Sequence, residues 1–213
     1  MNLQFLAPLN MQNPITTIFF DLFGVLLGID QSVVIQYLSK LTDTPYIETR
    51  EIALGEPFMR LERGEVTFSR YVEDIRSAMP NGACIDADSL REIWKNSKVG
   101  EMPAVSLLHD LQKKFQVWVI SNTTESHIKS LTSKFSFLSQ LNGIITSERA
   151  GAHKPNPKIF QFALEEANTG VTSSLFIDDS YSNIESAENL GLFSHHYTKF
   201  DGLVDFLHKN LGI

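Results

Sequence analysis

The sequence predicts an α/β protein, a doubly wound parallel sheet that carries a small α-helical cap inserted after its first strand. Short runs of β-branched and aromatic residues alternate with helical patterns along most of the chain, as expected when helices flank a parallel sheet. Between residues 31 and 94 the alternation stops, and the chain shows helical patterns alone. We therefore predict a core domain, an inserted cap domain and an N-terminal extension, with the bounds 15–30 plus 95–213, 31–94 and 1–14.

The first predicted strand is 16–20, which is rich in β-branched and aromatic side chains and is typical of a strand buried on both faces of a parallel sheet. Three later segments have a similar composition and predict further strands at 116–120, 143–146 and 175–177. The sequence therefore favours a sheet of parallel strands, each followed by a polar residue or a turn.

Helical patterns lie between these strands, at 103–115, 157–168 and 182–190. The first two begin with a proline, which suits the first position of a helix, and Gly191 ends the third. The inserted segment has its own helical spacing, as in the apolar series Phe68, Tyr71, Val72 and Ile75. Since open α/β sheets bind ligands at the carboxyl ends of their strands, we expect this segment to cap that edge.

The composition limits the partners that the protein can bind. The 213 residues have a formal net charge of −7 and no cluster of Lys and Arg, which argues against a nucleic-acid partner. No apolar stretch is long enough to span a membrane, and the single cysteine, Cys84, fits a reducing compartment. We therefore expect a cytoplasmic protein that acts on a small phosphorylated molecule, whereas the oligomeric state is not predicted.

Polar residues stand at the ends of the predicted strands, where parallel strands converge. They are Asp21, Ser121 with Asn122, and Asp178 with Asp179, and Lys154 lies in the loop before the helix at 157. A carboxylate can attack phosphorus when positive charge offsets the repulsion, and Mg²⁺ on carboxylates together with a lysine supplies that charge. Ser121 and the following backbone amides suit the phosphate oxygens.

Four segments resemble the ordered motifs of the haloacid dehalogenase superfamily. They are Phe-Phe-Asp-Leu-Phe-Gly-Val-Leu at 19–26, Val-Ile-Ser-Asn-Thr at 119–123, His-Lys-Pro-Asn-Pro-Lys-Ile-Phe at 153–160 and Phe-Ile-Asp-Asp-Ser-Tyr-Ser-Asn-Ile-Glu-Ser-Ala at 176–187. The resemblance implies a Rossmann-like core and a hydrolase that forms an aspartyl-phosphate. The cap segment 55–66 is similar to the sugar-phosphatase branch with small helical caps, the branch of the α-D-glucose-1-phosphate phosphatases.

The resemblance also implies a role for each site residue. Asp21 is the expected nucleophile, Ser121 the phosphate-binding hydroxyl beside Asn122, and Lys154 the lysine that stabilises charge. The expected Mg²⁺ ligands are Asp21, the backbone carbonyl of Phe23, Asp179 and Asp178. Asn183, in the next helix, is expected to orient Lys154 or a water on the metal.

Phe23 departs from the phosphatase pattern, in which a second Asp two residues after the nucleophile protonates the leaving alcohol. General acid or base catalysis is worth roughly two to four orders of magnitude in rate, so the change bears on function. We favour a phosphatase whose leaving group needs little protonation, such as an anomeric sugar phosphate or an acyl phosphate. In that reading Phe23 is an apolar wall of the pocket.

Two alternatives remain open from the sequence. A 2-haloacid dehalogenase also carries an aromatic residue two after its nucleophile, but it gains nothing from the acidic pair at 178 and 179, and its expected tyrosine is here Phe160. The second alternative is a catalytically silent binding or regulatory protein that keeps the fold and the metal site.

Overall fold

The computed structural model describes residues 14–62, 65–95 and 97–213, so residues 1–13 of the predicted N-terminal extension lie outside the described part. Its strands in chain order are β1 (Thr17–Phe20), β2 (Leu27–Ile29), β3 (Val99–Glu101), β4 (Gln116–Ser121), β5 (Gly143–Thr146), β6 (Ser174–Asp178) and β7 (Phe193–His196). Five of them form a parallel sheet in the order β5-β4-β1-β6-β7, and β2 pairs with β3. The predicted α/β class is therefore confirmed.

The helices fall into two groups along the chain. The first group is α1 (Ser32–Thr42), α2 (Tyr46–Ala53), α3 (Glu56–Glu62), α4 (Phe68–Ala78) and α5 (Ala87–Lys95). The second group is α6 (Val105–Leu111), α7 (Glu125–Thr132), α8 (Ser147–Ala150), α9 (Pro157–Glu166), α10 (Tyr181–Asn189) and α11 (Phe200–Leu211). Within the described residues, none of these helices is both long and apolar enough to cross a membrane.

The central strands are apolar because both of their faces are covered. Every residue of β1 and β6 is buried, in keeping with a strand in the middle of a parallel sheet. On one face, Phe19 and Phe176 pack with Phe160 of α9 and Ile184 of α10 in a single apolar cluster. This apolar packing supports the sheet below the strand ends that carry the polar residues.

The chain divides into two compact units. Among the described residues, one unit contains 14–28 together with Glu101–Ile213 and holds the parallel sheet, whereas the other lies within Ile29–Gly100. The second unit has its own apolar core, in which Leu38, Tyr71, Ile75 and Leu90 are fully or almost fully buried. The predicted cap, 31–94, falls inside this helical unit, and its role as a cap stays a prediction.

The structure adds elements that the sequence analysis did not predict. Strand β7 and helix α11 extend the core beyond residue 192, and the short pair β2 and β3 was likewise not predicted. Two helices are shorter than predicted: α6 ends at Leu111 rather than 115, and α9 ends at Glu166 rather than 168. In β7 the sequence Phe-Ser-His-His lacks an apolar run, because this edge strand pairs with β6 on one side and none of its residues is fully buried.

Candidate active site

The register of the central strands brings two acidic residues side by side. Phe20 of β1 pairs with Ile177 of β6, and each is followed directly by an aspartate. The Asp21 backbone N–H donates to the Ile177 carbonyl oxygen at 2.8 Å, which extends the ladder by one step. Asp21 and Asp178 therefore reach the carboxyl edge of the sheet together, where ligands bind in open α/β folds.

Asp179 joins these two residues in a cluster of three carboxylates. One oxygen from each of Asp21, Asp178 and Asp179 lies within 4.8 Å of the other two. The Asp179 carboxylate lies directly against the backbone of Gly24, whose φ of +95° suits glycine. A Cβ at position 24 would overlap this carboxylate, so the glycine both permits the turn after β1 and leaves room for Asp179.

Lys154 supplies the positive charge at the centre of the cluster. Its Nζ donates to Asp21 Oδ1 at 2.5 Å and to Asp178 Oδ2 at 2.6 Å, and its side chain is 2% exposed. The same Nζ lies 5.6 Å from the centroid of the Phe176 ring, which covers it from the core side. A buried ammonium with two carboxylate partners is a fixed charge, and Lys154 is accordingly held close to the predicted nucleophile.

The close charges shift the pKa values of the cluster. Burial raises the pKa of Asp21 from 3.8 to about 7, although the Lys154 ammonium opposes this shift and the Asp178 carboxylate adds to it. Burial also opposes the charge of Lys154, but the carboxylates of Asp178 and Asp21 outweigh it, and the net pKa is raised. Asp179 is more exposed, yet its partial burial and the neighbouring Asp178 raise its pKa as well. The site thus has an excess of negative charge.

Asp178 is held by more protein contacts than the other two acids. Its Oδ1 accepts hydrogen bonds from the Ser180 backbone N–H at 2.8 Å and from Asn183 Nδ2 at 3.0 Å, and its Oδ2 accepts from the same Nδ2 at 3.0 Å. The expected partner of Asn183 was Lys154 or a metal-bound water, and among the described residues it is Asp178 instead. Asp178 therefore acts as the anchor that orients Lys154.

The end of β4 carries the predicted phosphate-binding residues. Ser121 is 2% exposed, and its hydroxyl has no hydrogen-bond partner among the described residues, which leaves it free for a ligand. The side chain of Asn122 forms two hydrogen bonds with the backbone of Lys154: its Nδ2 donates to the carbonyl oxygen at 2.9 Å, and its Oδ1 accepts from the N–H at 2.7 Å. The Asn122 side chain is thus committed to Lys154, and its backbone amide is the group left for the predicted phosphate contact.

Phe23 has a partner that the sequence analysis missed. Its ring stacks on the imidazole of His127, with centroids 5.6 Å apart and planes inclined by 17°. Nδ1 of His127 lies 2.9 Å from Thr123 Oγ1, and burial, with a smaller effect of Lys134, lowers the pKa of the imidazole. The signal in the sequence was a histidine in the first turn of α7, the helix that follows the Ser121 motif. This signal is too weak to predict a ring stack.

The donor set fits a magnesium ion. Mg²⁺ prefers carboxylate, carbonyl and water oxygens over nitrogen or sulfur ligands. Asp21, Asp178 and Asp179 offer carboxylate oxygens close enough to share one cation, and the excess negative charge favours its binding. The part assigned to the Phe23 backbone carbonyl stays a prediction.

A family model and a curated relative each match most of the chain. The family model described as haloacid dehalogenase-like hydrolase matches residues 18–195. A D-ribitol-5-phosphate phosphatase of Bacteroides thetaiotaomicron is 25% identical over 190 residues, which cover 83% of this chain and 89% of that protein.

Solved structures extend this comparison. The structure of a HAD family enzyme of B. thetaiotaomicron in complex with magnesium and inorganic phosphate aligns with a TM-score of 0.55 and 26% identity, covering 86% of this chain and 94% of that one. A dehalogenase structure with an intermediate complex aligns with a TM-score of 0.61 at 16% identity over 85% of this chain and 84% of that one, a likeness of fold alone.

Proposed function

Because the chain belongs to the haloacid dehalogenase-like hydrolase family, we propose that it is a Mg²⁺-dependent phosphatase that uses Asp21 as its nucleophile. The proposed substrate is a small phosphorylated metabolite, with a sugar phosphate favoured. The phosphatase name of the B. thetaiotaomicron relative and the magnesium and phosphate in the HAD family enzyme structure support this proposal.

The observation that carries the proposal is the arrangement of four charges at the sheet edge. Three carboxylates share a space small enough for one cation, and Lys154 contacts Asp21 and Asp178 directly. Enzymes accelerate phosphoryl transfer almost entirely by positioning the reactants and by compensating the charge of the phosphate. A lysine fixed beside the nucleophile meets that requirement, because it lies where the attacking carboxylate and the phosphate would otherwise repel each other.

The proposed reaction has two displacement steps. A carboxylate oxygen of Asp21 attacks phosphorus, the bond to the leaving oxygen breaks, and that oxygen keeps the electron pair and takes a proton from solvent. A water molecule then attacks the phosphorus of the aspartyl-phosphate, the bond to Asp21 breaks, and the carboxylate regains its electron pair as the water releases a proton. Ser121 and the amide of Asn122 hold phosphate oxygens, and Lys154 offsets their charge.

Mg²⁺ would be held by Asp21, Asp179 and Asp178 with the Phe23 carbonyl, and it would neutralise part of the charge of the carboxylates and of the phosphate. Of these ligands, Asp179 has the most open side chain, whereas Asp178 already binds Lys154 and Asn183. We therefore assign the main ligand role to Asp179 and the assisting role to Asp178.

The leaving group is proposed to need little help from an acid, because Phe23 has no proton to give. Anomeric sugar phosphates and acyl phosphates meet this condition, since their leaving oxygens are better stabilised than those of simple alcohols. The glucose-1-phosphate specificity implied by the sequence is one case within this class.

Two features of the site speak against the dehalogenase alternative. Phe160 stands where a dehalogenase tyrosine was expected, and its side chain is fully buried in the core, edge-on to Phe176 at 5.0 Å between centroids. The cluster of three carboxylates would also repel the carboxylate of a 2-haloacid. Both features favour phosphate chemistry.

The test is a phosphate-release screen over sugar phosphates and acyl phosphates, run with Mg²⁺ and with a chelator. The wild-type chain is expected to release phosphate from at least one compound in Mg²⁺ alone, and Asp21→Asn is expected to abolish release. Absence of release across the panel would favour the silent-protein alternative. Chloride release from 2-chloropropionate in the presence of a chelator would favour the dehalogenase.

A further inference from the structure

We propose that His127 is a specificity-determining residue, whose free ring nitrogen binds a hydroxyl group of the leaving group, so that the substrate is a sugar phosphate. This inference rests on the proposed phosphatase function and assigns the side of the site that receives the leaving group. No part of the reaction described above involves His127.

The imidazole of His127 is held on two sides. The Phe23 ring stacks on one face at 5.6 Å, and Thr123 Oγ1 lies 2.9 Å from Nδ1. Thr123 in turn donates its backbone N–H to the Ser121 carbonyl oxygen at 3.0 Å, which ties the histidine to the phosphate-binding strand end. Both the ring plane and the Nδ1 edge are therefore fixed relative to the site.

The opposite edge of the ring is available to a ligand. Nε2 of His127 has no hydrogen-bond partner among the described residues, and the residue is exposed. A neutral imidazole nitrogen either donates or accepts, and a hydroxyl does both, so a ligand hydroxyl can pair with Nε2 in either tautomer. The stack thus places one polar atom at a defined position beside Phe23.

Phe23 and His127 together form an aromatic wall with a single polar contact. Phe23 stands two residues after Asp21 in the chain, past the fully buried Leu22, and His127 follows the Ser121 strand end by six residues, so both rings come from segments that leave the carboxyl edge of the sheet. Ligand pockets commonly combine aromatic surface with a few placed polar groups that fix orientation. A leaving group with C–H faces and hydroxyl groups matches such a wall, whereas a leaving group without hydroxyls leaves Nε2 unused.

The experiment compares two phosphorylated compounds, an aldose 1-phosphate and acetyl phosphate, which lacks hydroxyl groups on its leaving group. Steady-state kcat and KM are measured in Mg²⁺ for the wild type, His127→Ala, His127→Gln and Thr123→Val. The control is His109→Ala, which removes an exposed histidine on α6. Thermal melts of every variant show whether the fold is kept.

We expect His127→Ala to lower kcat/KM for the aldose 1-phosphate roughly tenfold, the size of one hydrogen bond, and to leave acetyl phosphate nearly unchanged. His127→Gln should restore part of the loss, and Thr123→Val should show the same selectivity to a smaller degree. Equal losses on both compounds, or no loss on the sugar phosphate, would overturn the role of His127 and leave the phosphatase proposal intact. Inactivity of the wild type on both compounds and on the wider panel would instead overturn both.

Discussion

At the scale of single residues, the site depends on contacts that join distant parts of the chain. Asp21 and Lys154 are 133 positions apart, and their side chains meet at 2.5 Å. The sequence predicted this meeting because both residues belong to segments that end at the same sheet edge. The two hydrogen bonds between the Asn122 side chain and the Lys154 backbone and the stack of His127 on Phe23 could not be predicted, since they depend on side-chain direction at the ends of elements.

Phe23 offers a direct test of the leaving-group argument. Phe23→Asp would restore a carboxylic acid two residues after the nucleophile, and we expect kcat to rise more for phosphates of simple alcohols than for acyl phosphates, because the former need a proton donor. Phe23→Asn is the matched control, with a similar shape and no acid. If Phe23→Asp changes kcat by the same factor for alcohol phosphates and for acyl phosphates, as the control Phe23→Asn is expected to do, the leaving-group explanation of Phe23 is wrong.

Asn122 is expected to act through Lys154. Asn122→Ala removes both hydrogen bonds to the Lys154 backbone, and we expect kcat to fall roughly 10- to 100-fold, because small displacements of a catalytic group are costly. The control is Asn156→Ala, in the loop that carries Lys154. It removes the side-chain cap of α9 but keeps the two hydrogen bonds between Asn122 and Lys154. Similar losses in both variants would indicate general loosening of the loop and contradict a specific role.

At the scale of elements, the sequence predicted the strands and helices whose side chains are buried. It did not predict the edge strand that is defined by its hydrogen bonds to a neighbouring strand. The apolar run of β1 and the Pro157 start of α9 were both readable from local composition. Strand β7 carries polar residues and exists because it pairs with β6, which composition does not reveal. Helix α11 has Leu203 and Leu207 at helical spacing, a pattern that the sequence analysis did not use.

The turn after β1 brings the backbone of Gly24 against Asp179, a proposed Mg²⁺ ligand, and a substitution at Gly24 tests whether this close approach matters. Gly24→Ala would put a methyl group into the space of the Asp179 carboxylate at a φ of +95°, so we expect weaker Mg²⁺ binding and loss of phosphate release. Gly151→Ala is the matched control, since Gly151 also has a positive φ, +62°, but nothing within 4 Å of the added Cβ.

The comparison of the two glycine variants separates backbone strain from displacement of Asp179. A titration of Mg²⁺ followed by thermal melting measures both effects in the same sample. Gly24→Ala should lose most of the Mg²⁺ response, and Gly151→Ala should keep it despite a lower melting temperature. A normal Mg²⁺ response in Gly24→Ala would show that Asp179 does not need this space.

At the scale of the whole molecule, the proposed Mg²⁺ site is expected to make the stability of the protein depend on the cation. Three carboxylates and one ammonium leave unbalanced negative charge in a partly buried site of a chain whose net charge is already −7. A cation at a hundred times its dissociation constant stabilises a protein by about 2.7 kcal/mol. For a chain of this size that corresponds to a melting temperature higher by roughly 5–10 °C.

We therefore expect Mg²⁺ to raise the melting temperature of the wild type by several degrees over the chelated protein. Asp21→Asn should melt no lower than the wild type in chelator, because burial and the Asp178 carboxylate already disfavour the charge of Asp21, and it should gain less from Mg²⁺. Asp205→Asn, which removes an exposed charge on α11, should behave like the wild type. An equal gain in Asp21→Asn would exclude Asp21 from the metal site.

The most direct test of the account is to trap the covalent intermediate on Asp21. The enzyme is quenched during turnover of a phosphorylated substrate in Mg²⁺, treated with labelled borohydride, which reduces an aspartyl-phosphate to homoserine, and digested for mass spectrometry. We predict homoserine at position 21, dependent on both substrate and Mg²⁺ and absent in Asp21→Asn. Phosphate release without label at this position, or label on another residue, would contradict Asp21 as the nucleophile.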